Sequence, residues 1–108
     1  MTIKEMQERV TKTAKEHGWM DREVPVPEQV ALIHSEASEA LESWRKGEPL
    51  TWVRSEDFKP EGLAAEYADI VIRVMHYCSL LGIDLECEII RKDKFNATRP
   101  YRHGGKRA

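Results

Sequence analysis

Two pairs of acidic residues carry the strongest chemical signal in this 108-residue chain: Glu36 with Glu39, and Glu66 with Asp69. Acid-x-x-acid spacing sets both carboxylates of a pair on one side of a helix, about one turn apart. Glu36 and Glu39 share a stripe with Leu32 and Ser43 that borders the core face expected of their helix, so they can face a neighbouring helix. Glu66, Asp69, Arg73 and His76 form a stripe about 80° wide amid Leu63, Ile70, Val71, Val74, Tyr77 and Leu80. An ionised carboxylate taken out of water costs several kcal/mol unless it is paired or bound to metal. Arg73 can offset one such charge. If both pairs face one gap, two carboxylates 4 Å apart repel by roughly 4 kcal/mol at an effective dielectric of 20. A divalent cation resolves that conflict, and an all-oxygen set favours Mg²⁺, or Mn²⁺, over softer ions. Di-iron chemistry fits poorly, because none of His17, His34, His76 or His103 has a Glu three residues before it. Spacing alone is weak, since Glu5/Glu8 and Glu39/Glu42 show it as ordinary solvated pairs; the apolar setting of Glu66 and Asp69 is what distinguishes them.

The complementary sign lies towards the C-terminus. Leu85, Ile89, Lys92 and Asn96 fall within about 60° of arc, so an apolar stripe turns into an amine and an amide that can meet phosphate, although Lys92 can equally pair with Glu88. Residues 91–108 hold seven Lys and Arg against one Asp, net +6, which leaves −8 for residues 1–90. Arg99, Arg102, Lys106 and Arg107 supply most of that tail, and Gly104-Gly105 lets its backbone approach a ligand. Trp19, Trp52 and Tyr101 are placed in loops or the tail, where an aromatic ring can stack on a base, whereas Trp44 is read as core. His17 and His34 can reach a nucleotide but serve equally as surface residues.

Four helices are expected to position these groups. Thr2 and Glu5 make a capping box for helix 1, whose narrow stripe of Ile3, Met6, Val10, Ala14 and His17 suits a seam against a partner helix and ends at Gly18. Helix 2 runs from Pro27 to Gly47 with Val30, Ile33, Ala37, Leu41 and Trp44 as its core face, and Ser35, Ser38, Glu42 and Arg45 in solvent. Residues 48–59 lack helical period and read as a candidate lid. Pro60 opens helix 3, apolar round most of its circumference to Leu81 and therefore central and buried; Asp84 caps helix 4, which runs to about Asn96. No strand is expected. The prediction is one all-α domain over 1–108 with a basic tail at 97–108.

Composition supports a folded chain: 41% hydrophobic and 33% charged residues at net charge −2. The acidic body argues against nucleic-acid binding. The N-terminus lacks the apolar run of a secretory signal, and no charge-free segment approaches the ~18 residues of a membrane span, so a cytoplasmic protein without membrane contact is expected. Cys78 and Cys87 fit no zinc or redox spacing and read as reduced packing residues.

In order, E-A-S-E (36–39), E-Y-A-D (66–69), K-D-K-F-N (92–96) and R-P-Y-R-H-G-G-K (99–106) resemble the MazG-like all-α nucleoside triphosphate pyrophosphohydrolases over roughly residues 27–106. The resemblance implies a four-helix MazG-like bundle completed by a homodimer or homotetramer, with helices of two subunits closing the site. It implies Mg²⁺ at Glu36, Glu39, Glu66 and Asp69, with Glu36 or Glu39 orienting or deprotonating water. It further implies phosphate contacts from Lys92 and Asn96, steadied by Arg99 and Arg102, and does not fix base recognition, for which Trp19, Trp52 and Tyr101 are candidates by their loop or tail placement alone. The reaction implied is hydrolysis of an NTP or dNTP to the monophosphate and pyrophosphate. The alternative is a non-catalytic helical module that binds nucleotides or a partner through its basic tail.

Overall fold

In the computed structural model, which describes residues 1–107, the Thr2 hydroxyl accepts from the Glu5 amide at 3.0 Å and the Glu5 carboxylate answers the Thr2 amide, forming the expected capping box. Helix α1 follows over Ile3–Glu16. Helix α2 spans Val26–Arg45, with Pro27 in its first turn and Gly47 just beyond its end. Helices α3 (Leu63–Leu80) and α4 (Leu85–Ala97) come next, and the Asp84 side chain caps α4 by accepting from the Cys87 amide. The molecule is predominantly helical, as the sequence predicts.

The lid segment departs from expectation. Trp52–Val53 (β1) and Pro60–Glu61 (β2) pair antiparallel, Trp52 opposite Glu61 and Val53 opposite Pro60. Pro60 therefore lies in a strand rather than opening α3; having no amide hydrogen to donate, it suits this short edge pairing. Two side-chain clamps close the hairpin, Arg54 Nε and Nη2 donating to Asp57 at 2.9 and 2.6 Å, and the Arg54 amide donates to the Lys59 carbonyl. Gly62 then turns the chain into α3 at φ +94, where a Cβ would lie 2.6 Å from the Leu50 carbonyl oxygen. Only glycine satisfies both demands. Beyond Pro100, the four-residue element α5 (Arg102–Gly105) is a single left-handed turn with φ between +52 and +95.

Helix α3 packs against α2 on one side and α1 on the other, so it is central as expected. It is not buried all round: Met75 and Tyr77 are interior, but Tyr67 and Val71 are 59% and 50% exposed. The core face expected of α2 is also corrected. Val30, Leu41 and Trp44 are exposed, Trp44 to 66%, while Gln29, Ala40 and Ser43 are buried and Leu32, Ile33 and Glu36 half-buried. Small Ala40 and Ser43 allow a close approach, and the interior polar groups are satisfied: Gln29 Nε2 donates to the Val24 carbonyl and Ser43 Oγ to Glu48. Apolar period thus marked as core a face that the described residues leave largely open, Ala37 included.

Helix α4 rests on α1. Buried Gln7 fixes the joint, its Nε2 donating to the Ile83 carbonyl at 2.9 Å and to Ser79 Oγ at 3.0 Å while its Oε1 accepts from the Leu85 amide at 3.2 Å. In the seam expected on α1, Ile3, Val10 and Ala14 are half-buried, but Met6 and His17 are exposed. The inward stripe expected of α4 is mostly outside: Leu85 is half-buried, but Ile89, Lys92 and Asn96 are exposed. The radius of gyration is 16.4 Å, against about 13 Å for a compact domain of this length. No helix among the described residues is long and apolar enough to cross a membrane.

Candidate metal centre

The α2–α3 packing that exposes Trp44 turns Glu36 and Glu39 towards α3, whose first two turns hold Glu66 and Asp69. One carboxylate oxygen from each of Glu36, Glu39 and Glu66 lies within 4.8 Å of the other two. Asp69, one turn along from Glu66, joins Glu36 in lining an adjoining cavity. Glu66 Oε2 is buried and without a hydrogen-bond partner among the described residues.

Electrostatics express the crowding. Lost hydration, followed by the charges of Glu39, Asp69 and Glu36, pushes the Glu66 carboxyl above its ordinary range. Glu39 is pushed up chiefly by the charge of Glu36. Asp69 reaches solvent, yet lost hydration and then Glu36 raise it too, opposed by Lys59 and Arg73. These are groups that a hard dication would relieve. The donor set is all carboxylate oxygen, with one buried oxygen unsatisfied, so the residues present fit Mg²⁺ or Mn²⁺.

Arg73 lies beside this cluster. Its Nε donates to Glu36 Oε1 at 2.8 Å and its Nη1 to the Tyr77 hydroxyl at 3.0 Å. Arg73, Glu36 and Asp69 share the wall of a cavity of about 900 Å³, whose apolar lining includes Val10, Trp19, Leu32 and Ile72. That volume suits a nucleotide-sized ligand. His76 also lines it, with a buried Nδ1 that has no partner among the described residues, and burial holds its imidazole below its usual pKa.

The structure thus gathers three of the four predicted carboxylates, Glu36, Glu39 and Glu66, and places Asp69 with Glu36 and Trp19 on the wall of the adjoining cavity. It does not gather the rest. Trp52 Nε1 donates to Glu48 in the hairpin, away from the cavity lining. Lys92 and Arg99 sit over the Phe95 ring at 5.3 and 5.7 Å, Arg102 lies over its neighbour Tyr101, and Tyr101 is 83% exposed. None of Lys92, Asn96, Arg99, Arg102, Trp52 or Tyr101 lines the cavity. The physical reason is the Gln7 joint, which seats α4 on α1 rather than beside the carboxylates.

Sequence reasoning assigned Arg73 only a charge-offsetting role and gave Lys59 none. Arg73 was visible in the stripe, one turn beyond Asp69. Lys59 carries no sequence signal, because its proximity depends on a hairpin of two-residue strands; there it pairs with half-buried Glu61 at 3.3 Å. Comparison of the chain with family models, curated proteins and solved structures finds no match.

Proposed function

We propose that this chain is a Mg²⁺-dependent nucleoside triphosphate pyrophosphohydrolase of the MazG-like kind, acting on an NTP or dNTP to give the monophosphate and pyrophosphate. The observation that carries this reading is the convergence of Glu36, Glu39 and Glu66 within 4.8 Å, with a buried orphan oxygen on Glu66, beside a cavity of nucleotide size.

Glu36, Glu39, Glu66 and Asp69 would hold the ion, Mn²⁺ being an acceptable substitute. When bound, the dication supplies charge neutralisation for the phosphates and a more acidic water. The chain's own groups do the remainder. Glu36 or Glu39 would orient a water and take its proton; of the two, Glu36 already accepts from Arg73 Nε at 2.8 Å. Trp19 and Ile72 offer apolar surface to a base, and neutral His76 offers a ring nitrogen to a polar edge of that base.

The phosphate-binding set is completed by a second copy. Lys92, Asn96, Arg99 and Arg102 project on α4 and the tail, where in a single chain they meet no carboxylate of the cluster. The accessible surface is 8576 Å², about 2,400 Å² above the value near 6,200 Å² expected of a folded monomer of this mass. Burying that excess on each of two chains falls in the range of obligate dimers. The stripe of Val30, Leu41 and Trp44 supplies the apolar contact, in a homodimer or homotetramer. A cytoplasmic location, where nucleotide pools and Mg²⁺ are abundant, accords with this activity.

The test is incubation of the purified protein with each NTP and dNTP, with and without Mg²⁺. Pyrophosphate release that requires the ion is expected; orthophosphate as the only product would overturn the reading. The separation of Arg99 and Arg102 from the cavity favours a second reading, a binding module that acts through its tail. That reading requires binding to be lost on deleting residues 97–108, to fall steeply with salt, and to be indifferent to Glu36→Gln.

A further inference from the structure

A triphosphate entering the cavity brings about four negative charges to a wall that already holds Glu36 and Asp69. One dication cannot balance that total. Two cationic side chains line the cavity, Arg22 and Arg73. Arg22 is 66% exposed and committed to Glu28. Arg73 is different. It projects from the middle of α3, one turn beyond Asp69, on a rigid element that also carries two of the carboxylates.

The hydrogen bonds of Arg73 leave it only partly engaged. Its Nε holds Glu36 and its Nη1 holds the Tyr77 hydroxyl, while Nη2 has no partner among the described residues. The side chain is 38% exposed, against 13% for its partner Glu36. Tyr77 is 5% exposed, so its hydroxyl is a fixed post on the interior side of the guanidinium.

We propose that Arg73 binds the substrate's phosphates: its planar guanidinium, tethered at Nη1 by Tyr77 and held at Nε by Glu36, presents its Nη2 edge to non-bridging phosphate oxygens in the cavity. This assignment rests on the pyrophosphohydrolase reading and gives it a phosphate contact that needs no second copy. A guanidinium suits the role because it offers two parallel donors to a phosphate and stays charged at every working pH. No bond is made or broken at Arg73; it offsets charge that grows on the leaving pyrophosphate.

The alternative is that Arg73 merely neutralises Glu36 and keeps the cluster folded. Arg73→Gln and Arg73→Lys separate the two. Removing a cation 2.8 Å from Glu36 should leave Mn²⁺ affinity unchanged or tighter. Pyrophosphate release should fall at least 100-fold in Arg73→Gln, with part of the rate regained in Arg73→Lys. Mn²⁺ binding followed by electron paramagnetic resonance and turnover measured on the same full-length samples give both readouts. Wild-type turnover in Arg73→Gln, or Mn²⁺ affinity lost in step with turnover, would overturn the assignment and leave the pyrophosphohydrolase reading standing. Should the wild-type protein turn over no nucleotide, that reading falls, and binding of an α,β-imido NTP with Ca²⁺ decides the role of Arg73. A tenfold or greater loss of that binding in Arg73→Gln supports it; equal binding, or no binding by wild type, defeats it.

Discussion

Glu66 concentrates the tension of the fold at a single side chain, with one buried oxygen unsatisfied among the described residues and four acidic neighbours, Glu39, Asp69, Glu36 and Glu61. Glu66→Gln removes a charge and adds a donor. In metal-free protein it should stabilise the fold by on the order of 1 kcal/mol, a rise of roughly 4–8 °C in melting temperature for a domain near this size. The same change should abolish any stabilisation by Mn²⁺, and an unaltered Mn²⁺-induced shift in thermal melts would contradict the ligand assignment. The pH dependence has a definite sign. Glu66, Asp69 and Glu39 hold protons more tightly folded than unfolded, so their contribution favours the native state in acid and is lost as pH rises through their raised pKa values. His76 works in the opposite sense: its depressed pKa costs stability as pH falls through the ordinary histidine range. In metal-free protein the Glu66 part of this contribution should appear as a wild-type-minus-Glu66→Gln difference in melting temperature that grows as pH falls. Saturating Mn²⁺ should reverse the trend, because protons then compete with the ion. A difference that shrinks as pH falls would contradict this account.

Among the elements, the hairpin and the α4 joint set what the carboxylates can reach. Gly62→Ala places a methyl group against the Leu50 carbonyl at a φ that alanine rarely adopts. It should cost about 1–3 kcal/mol and increase hydrogen exchange in residues 50–61 before the rest of the chain. Gln7→Leu leaves the Leu85 amide and the Ile83 carbonyl unpaired and should destabilise by about 1–3 kcal/mol for each group left dry; urea melts would show it. Both features also mark where the sequence stopped being legible. All four long helices could be read, because caps, glycines and apolar period are local signals: the Thr2–Glu5 box and the Asp84 cap are where they were expected. The two-residue strands could not, since Arg54–Asp57 and Val53–Pro60 pairing leaves no alternating pattern. The inner face of α2 was misassigned because Gln29 and Ser43 are buried through hydrogen bonds, whereas Leu41 and Trp44 are exposed. The carboxylate cluster was legible because charge inside an apolar helix is conspicuous; the distance from Lys92 and Asn96 to it was not, because α4 is steered by one buried glutamine.

For the whole molecule, the decisive quantity is surface left uncovered. Leu41 and Trp44, one turn apart on α2, stand 55% and 66% exposed. Under the proposed assembly, Leu41→Lys with Trp44→Glu should give monomer in sedimentation equilibrium, lower the melting temperature and remove turnover. A monomeric wild-type protein of full activity would refute the composite site. The interior holds little apolar volume: Ala40, Met75 and Tyr77 are the only buried apolar side chains among the described residues. Under the proposed assembly, acquiring native structure would therefore draw on a second copy. Heat resistance should climb as the sample is concentrated, refolding should follow second-order kinetics, and dilution alone should act as an off switch for whatever chemistry the acidic centre performs.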